Sequence, residues 1–494
     1  MPALDFPVWV RATHILNVLF LSLLIRSGVE ILSAHPKLYW HDDCRPGSEW
    51  LSFTRKRMPA DALWTSRDEE EGFSSWLALP GGRNLGLGRH WHFLSVAAWL
   101  LTGLVYVVCL FAFDEWRRLL PTTWAVFPHA WQALRTYANL QLPPPGNPYN
   151  ALQELTYAAV VFLLGPLSLA TGAAMSPAVA ARFPWYTRLF GGRQAARSLH
   201  FLALLAFVAF TVGHTAMVVA HGLPQELAKI VLGVDAGHHR LAVIVGGLGL
   251  AVVAVTHILA TRWSLRRPRR MQQLLQAVVD PPMRLLLHHL TSRQRYPPAS
   301  ISPYFRVNGR PPADATYAAL ARDDFAGWAL AVGGLVEQPL HLSLTDLQRL
   351  PQLTQVTKHV CIQGWSAIAA WTGVPLRSLL ALCRPLPEAR YLVFHALDDK
   401  ATSEADSGGT GCYYETIDLE LARHPQTLLA YAMNERPLPL EHGAPLRLRV
   451  ETQLGFKMVK WLRAIELVAD YSAIGEGQGG WREDNQHYSQ TAGM

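Results

Sequence analysis

The sequence predicts a multi-domain protein: an all-α bundle of five membrane-crossing helices, followed by a mixed α+β domain. Three observations lead there. Five long apolar runs fall in the first half of the chain, a cluster of arginines follows the last of them, and from Tyr304 short β-type runs alternate with Gly/Pro turns and short helical runs. At 494 residues the chain is also too long for one compact core.

The apolar runs extend from Ile15 to Leu32, His92 to Phe113, Leu155 to Ala174, Leu199 to Ala220 and Leu241 to Ala260. A helix needs about 20 apolar residues to cross a bilayer, so residues 1–265 read as a transmembrane domain in contact with membrane lipid. The loop between the first two spans carries Arg55, Lys56, Arg57 and an acidic run, Asp68 to Glu71. After the fifth span come Arg262, Arg266, Arg267, Arg269 and Arg270, then a polar linker over 266–303. The α+β domain occupies 304–470, and residues 471–494, Gly-rich and without periodicity, read as an irregular tail. No removable signal peptide is expected, since no basic region precedes a small-residue cleavage site.

Half of the chain is hydrophobic and 16% is charged, with a formal charge of +7. The arginines flank apolar segments instead of interleaving with aromatics, which favours membrane boundaries over nucleic acid. Five cysteines, without a C-x-x-C pair, exclude a disulfide scaffold and a structural zinc site.

Ionisable groups inside a span are costly, so each needs a partner or a function. His200 and His214 lie on the fourth span, 214 − 200 = 14 positions apart. At about 100° and 1.5 Å per residue they share one face, roughly 21 Å apart along the axis. Antiparallel threading places His92 level with His200 and His14 level with His214. Such imidazoles can satisfy one another by hydrogen bonds; four at two matching depths point to two bis-histidine haems. The segments RATHILN, GRHWHFLSVAAWLLTGLVY, RSLHF and VGHTAMV resemble the di-haem cytochrome b subunits of bacterial hydrogenases and formate dehydrogenases. That resemblance implies two haem b groups on the same four histidines. His90 and His221 are set aside, and His238, His239 and His257 match no ligand position of that family.

In the second half one thiol stands out, Cys361 in KHVCIQGWSAIAAWTGVPL. An isolated cysteine is more often a buried small hydrophobe, but a thiolate also suits a redox metal. Downstream lie GCYYETIDL, then His442 and Arg447, then Lys457 and Lys460 in QLGFKMVKWL, donors suited to an anionic phosphate. Together these segments resemble the molybdopterin-binding domain shared by sulfite oxidases and the protein-methionine-sulfoxide reductase. The resemblance implies that Cys361 ligates molybdenum, that Tyr413 stands beside the metal, and that His442, Arg447, Lys457 and Lys460 hold the pterin and its phosphate. Where sulfite oxidases continue with Asn-Arg-Arg, this chain has Ile362, Gln363 and Gly364, closer to the sulfoxide reductase except that Gln363 replaces an acidic residue.

The combined expectation is a membrane-bound molybdopterin oxidoreductase, with haem and molybdopterin as cofactors and quinone as electron carrier. It transfers an oxygen atom on a small S- or N-oxide. Two readings stay open beside it: an electron-transfer cytochrome b subunit with a non-catalytic molybdopterin-fold domain, and a sulfite dehydrogenase. A respiratory partner subunit or a second copy of the chain is open as a partner. The side of the membrane carrying the larger share of Lys and Arg is expected to be cytoplasmic and to hold the molybdopterin domain.

Overall fold

A computed structural model of the protein describes residues 6–59, 61–144, 146, 149–234, 237–287, 294–403 and 409–490. The five expected spans are the helices α1 (Val8–Ser33), α2 (Leu85–Ala112), α3 (Ala151–Ala174), α4 (Arg193–Ala220) and α5 (His239–Arg266). At 24 to 28 residues they are about 36–42 Å long, enough for a hydrocarbon core of about 30 Å. Apolar side chains such as Leu101, Leu163, Val212 and Leu248 are exposed along them, as lipid-facing residues are.

The chain divides into two compact units. The first comprises residues 1–27, 91–173 and 199–263. Here α3 contains a π-helical turn at Val160–Leu164, two residues before Pro166, where a proline removes one amide from the helix. A polar cluster ties α5 to α1. Ser22 and Arg26 each lie 2.8 Å from one ring nitrogen of His257, and Arg26 also donates to Thr261. Both nitrogens of His257 are thereby engaged.

The second unit comprises residues 28–90, 174–198 and 264–494, three stretches separated in sequence by membrane crossings. Its core is two five-stranded sheets. In chain order the strands are β1 (Ala329–Gly334), β2 (Leu340–Ser343), β3 (Leu353–Val360), β4 (Ser366–Pro375), β5 (Tyr391–Asp399), β6 (Cys412–Asp418), β7 (Leu428–Met433), β8 (Arg447–Arg449) and β9 (Leu462–Val468). One sheet runs β2-β1-β9-β5-β6, antiparallel except for the β1–β9 pair. The other joins β3, β4 and β7, with β8 and the short strand Arg436–Pro437 both paired to β7. The strand β4 is buried along nearly its whole length, as a central strand covered on both faces must be.

The loop between α1 and α2 is part of this unit, and its acidic run joins it to the sheets. Asp68 pairs with Arg310 at 3.1 Å. Glu69 accepts from Arg306 at 2.5 Å and Lys37 at 3.3 Å. Glu70 accepts from Gln363 at 2.5 Å, and Ser66 N–H donates to the Val307 carbonyl. Burial opposes the charge of Glu69, but His35, Arg306 and Lys37 outweigh it and hold the carboxyl well below the usual range.

Two expected boundaries need correction. The linker over 266–303 contains a 20-residue helix, α6 (Pro268–Leu287), which buries Met271, Leu275 and Val279. Its Pro281 and Pro282 sit within the helix. The tail expected over 471–494 is, through its described residues 471–490, built into the domain: α7 (Trp481–Gln486) buries Trp481, Glu483 and Asp484, and Tyr488 and Ser489 follow, also buried. Its glycines at 475, 477 and 479 take left-handed conformations in tight turns, which removes periodicity without removing structure.

Candidate cofactor and active sites

In the helical unit the histidines meet in pairs. The ring centres of His14 and His214 are 6.2 Å apart, and those of His92 and His200 are 6.4 Å apart. A metal–imidazole bond of about 2 Å on each side, plus roughly 1.1 Å from nitrogen to ring centre, gives about 6.2 Å for two axial imidazoles on one iron. The outer nitrogens are held. His200 Nδ1 lies 3.1 Å from the Ser168 carbonyl and 3.0 Å from Thr171 Oγ1. A carbonyl only accepts, so that Nδ1 carries the proton and Nε2 keeps its lone pair. Ser27 Oγ approaches His92 Nδ1 at 3.1 Å, and Tyr157 OH approaches His214 Nδ1 at 3.3 Å. The four side chains fit two haem irons.

In the sheet unit Cys361 is fully buried in the turn joining β3 to β4. The turn closes through Cys361 N–H to the Trp365 carbonyl and Gly364 N–H to the Cys361 carbonyl. Gly364, at φ +125°, turns its carbonyl to Arg193 at 2.5 Å and Gln194 at 2.9 Å, and a Cβ there would press on Arg197. The thiol donates to Gln363 Oε1 at 3.4 Å and accepts from Asn308 Nδ2 at 3.6 Å. Burial pushes its pKa up to about 12, so the free thiol is inert and a metal must displace its proton.

One cavity, about 540 Å³ with its mouth, is lined by Tyr413, His442, Arg447 and Lys460 among the expected residues. It is also lined by His359, Arg306, Asn308, Lys400 and Arg482, which the motifs did not single out. Its one carboxylate among the described lining residues, Asp398, is paired with Lys400 at 2.7 Å. Arg447 donates to the His442 carbonyl through one amino group, while its buried Nε has no partner among the described residues. Burial, with Arg449 nearby, pulls the Arg447 guanidinium well below its ordinary value. Burial likewise brings His442 down to about 3 and His359 well below the usual imidazole value, so both are neutral. Arg449 only donates, and it bonds His359 Nδ1 at 2.9 Å; the ring proton of His359 is therefore on Nε2. A donor-rich, cation-lined cavity with an unmet guanidinium nitrogen fits an anionic pterin phosphate.

Two expected residues sit differently. Lys457 does not line the cavity: its ammonium is buried between Glu415, at 2.9 Å, and Glu483. Burial opposes that charge, yet the two carboxylates hold it above the ordinary lysine value. Its assignment to the phosphate is thus corrected to an internal ion cluster. Tyr413 lines the cavity, but its hydroxyl is engaged with the Phe456 carbonyl at 2.7 Å and Glu415 at 3.0 Å. Sequence signals for the missed residues were slight. His359 stands two places before the cysteine, whereas Asn308 and Arg482 come from segments far from it in the chain.

Comparison with known proteins matches residues 5–233 to the family described as prokaryotic cytochrome b561, and residues 317–473 to the oxidoreductase molybdopterin binding domain. A protein provisionally named protein-methionine-sulfoxide reductase subunit YedZ1, from Azospira oryzae, is 37% identical over 161 residues, 33% of this chain and 54% of that protein. The protein-methionine-sulfoxide reductase catalytic subunit MsrP of Campylobacter jejuni is 32% identical over 147 residues, 29% of this chain and 50% of that protein. The chain thus spans about half the length of these relatives. Among solved structures, sulfane dehydrogenase SoxCD from Paracoccus pantotrophus matches at 25% identity and a TM-score of 0.26, over 32% of this chain and 45% of that one. The two family matches fall on the two halves of the chain, which joins a b561-type cytochrome domain carrying the membrane helices to a molybdopterin-binding oxidoreductase domain.

Proposed function

We propose that the chain takes electrons from the quinone pool and reduces a small S- or N-oxide at Cys361. The observation that carries this reading is the buried thiol of Cys361 beside a cavity rich in phosphate-binding donors. Haem supplies one-electron carriage and molybdenum-pterin supplies two-electron oxygen-atom transfer when bound. His14 with His214 and His92 with His200 hold two haem b groups. Cys361 holds the metal, and His359, His442, Arg447 and Lys460 hold the pterin and its phosphate. Tyr413 walls the cavity. For a sulfoxide the net reaction balances: the sulfur–oxygen bond breaks, the oxygen takes up two protons and leaves as water, and two electrons reduce the sulfur to the sulfide. A quinol releases both electrons and both protons as it becomes quinone. The domain that holds Cys361 lies on the cytoplasmic side, because the loops and arginine cluster on that side carry more Lys and Arg.

Elemental analysis of the detergent-purified protein is expected to give about one molybdenum and about two irons per chain. Cys361→Ser keeps the haem spectrum and abolishes oxidation of reduced haem by substrate. Wild-type haem oxidation in that variant would remove Cys361 from the metal.

A further inference from the structure

A second cavity, about 1120 Å³ with its mouth, adjoins the first, and Asn308, Phe456 and Arg482 line both. Asn308 is the residue whose amide touches the Cys361 thiol, and Gln363, which accepts the thiol proton, also lines the second cavity. The two side chains bonded to the buried thiol thus both line this space, while His359 and His442 line only the first cavity. Its walls come mainly from the α1–α2 loop, the Cys361 turn and the tail, with Asn308 and Phe456 added from two further segments.

The lining is polar and unevenly charged. Among the described lining residues, Arg67, Arg83 and Arg482 face one carboxylate, Glu70, which Gln363 bonds at 2.5 Å. Three cations against one anion suit an incoming negative group. Arg83 is the most exposed of the three and sits in an unusual turn. Gly81, Gly82 and Arg83 are consecutively left-handed, with Arg83 at φ +65°. The fully buried carboxylate of Glu30 holds this turn by accepting from the Gly81 and Asn84 amides at 3.0 and 2.5 Å. The turn thus fixes the backbone from which Arg83 projects at the cavity rim.

We propose that this second cavity is the substrate chamber, and that Arg83 and Arg67 bind the anionic group of a small oxidised-sulfur substrate whose oxide is directed at Cys361. The proposal rests on the reading of Cys361 as the metal ligand. It assigns the α1–α2 loop a role in substrate selection and favours free, acid-bearing sulfoxides over those embedded in a protein chain.

The test uses the molybdenum-loaded full chain in detergent and a matched pair of probes, 3-(methylsulfinyl)propionate and its methyl ester. Calorimetric titration is expected to show the acid bound at least tenfold more tightly than the ester. In Arg83→Glu that preference should collapse by at least tenfold, and the ratio of the two kcat/KM values should fall with it. Equal binding of acid and ester by the wild type, or an unchanged preference in Arg83→Glu, would overturn the chamber. If the acid binds selectively yet is not reduced, the chamber stands and the proposed reaction fails.

Discussion

At the scale of single residues, Glu69 shows how the loop and the sheets depend on one charge. It is buried, with Arg306, Lys37 and His35 all against it. Removing one partner of a buried ion pair costs about 3–5 kcal/mol, because the remaining charges lose their compensation. Glu69→Ala should lower the melting temperature of the detergent-solubilised protein accordingly, and an unchanged melt would mean that water replaces the carboxylate. The same group sets an acid limit. A carboxyl held below its usual range contributes stability that is present above about pH 4.3 and lost as pH falls toward its folded value. Burial also brings His35 down to about 3, so its contribution is lost as pH drops from about 6.5 toward 3. Melting temperature should therefore fall steadily between about pH 6.5 and about pH 4. A flat profile there would show that His35 is not buried and neutral as drawn. Cys361 was legible in sequence because its neighbours travel with it in one segment. Glu69, Asn308 and Arg482 were not, since each acts on residues far away in the chain and leaves no local spacing to read.

At the scale of elements, long apolar runs announced the five spans, and the 14-residue step between His200 and His214 announced their face. The tail was misread because glycines in turns and a helix of only six residues carry too little periodicity to register. Its burial comes from long-range packing: Tyr488 meets Phe456, Trp481 meets Tyr413, and Glu483 completes the pairing of Lys457. Trp481→Ala should cost about 3–5 kcal/mol through the void it leaves, read as a lower melting temperature. A chain ended after Asp470 loses one wall of each cavity together with Arg482. It is expected to keep its haem spectrum and lose its molybdenum, measured per chain by elemental analysis. Full molybdenum content in that shortened chain would reduce the tail to a cover. The helix α6 was hidden for a different reason, since its polar composition after the arginine cluster read as linker while its few buried apolar residues, Met271, Leu275 and Val279, are spaced one per turn.

At the scale of the whole molecule, the α1–α2 loop, the α3–α4 loop and everything after α5 belong to one folded unit. With five crossings these three stretches share one side of the membrane. Protease added to inside-out vesicles should cut the sheet domain, and protease added to right-side-out vesicles should leave it intact. The opposite pattern would move the domain across the membrane. The composition of that unit also constrains how the protein is made. All four histidines that meet in pairs emerge from the ribosome by residue 214, whereas the sheet unit lacks its last wall until residues 481–490 have been synthesised. Asp68, Glu69 and Glu70 are made long before the Arg310, Arg306 and Gln363 they meet, and wait beside the membrane for them. The tail that walls the second cavity is thus the last part of the unit to leave the ribosome, after every membrane span.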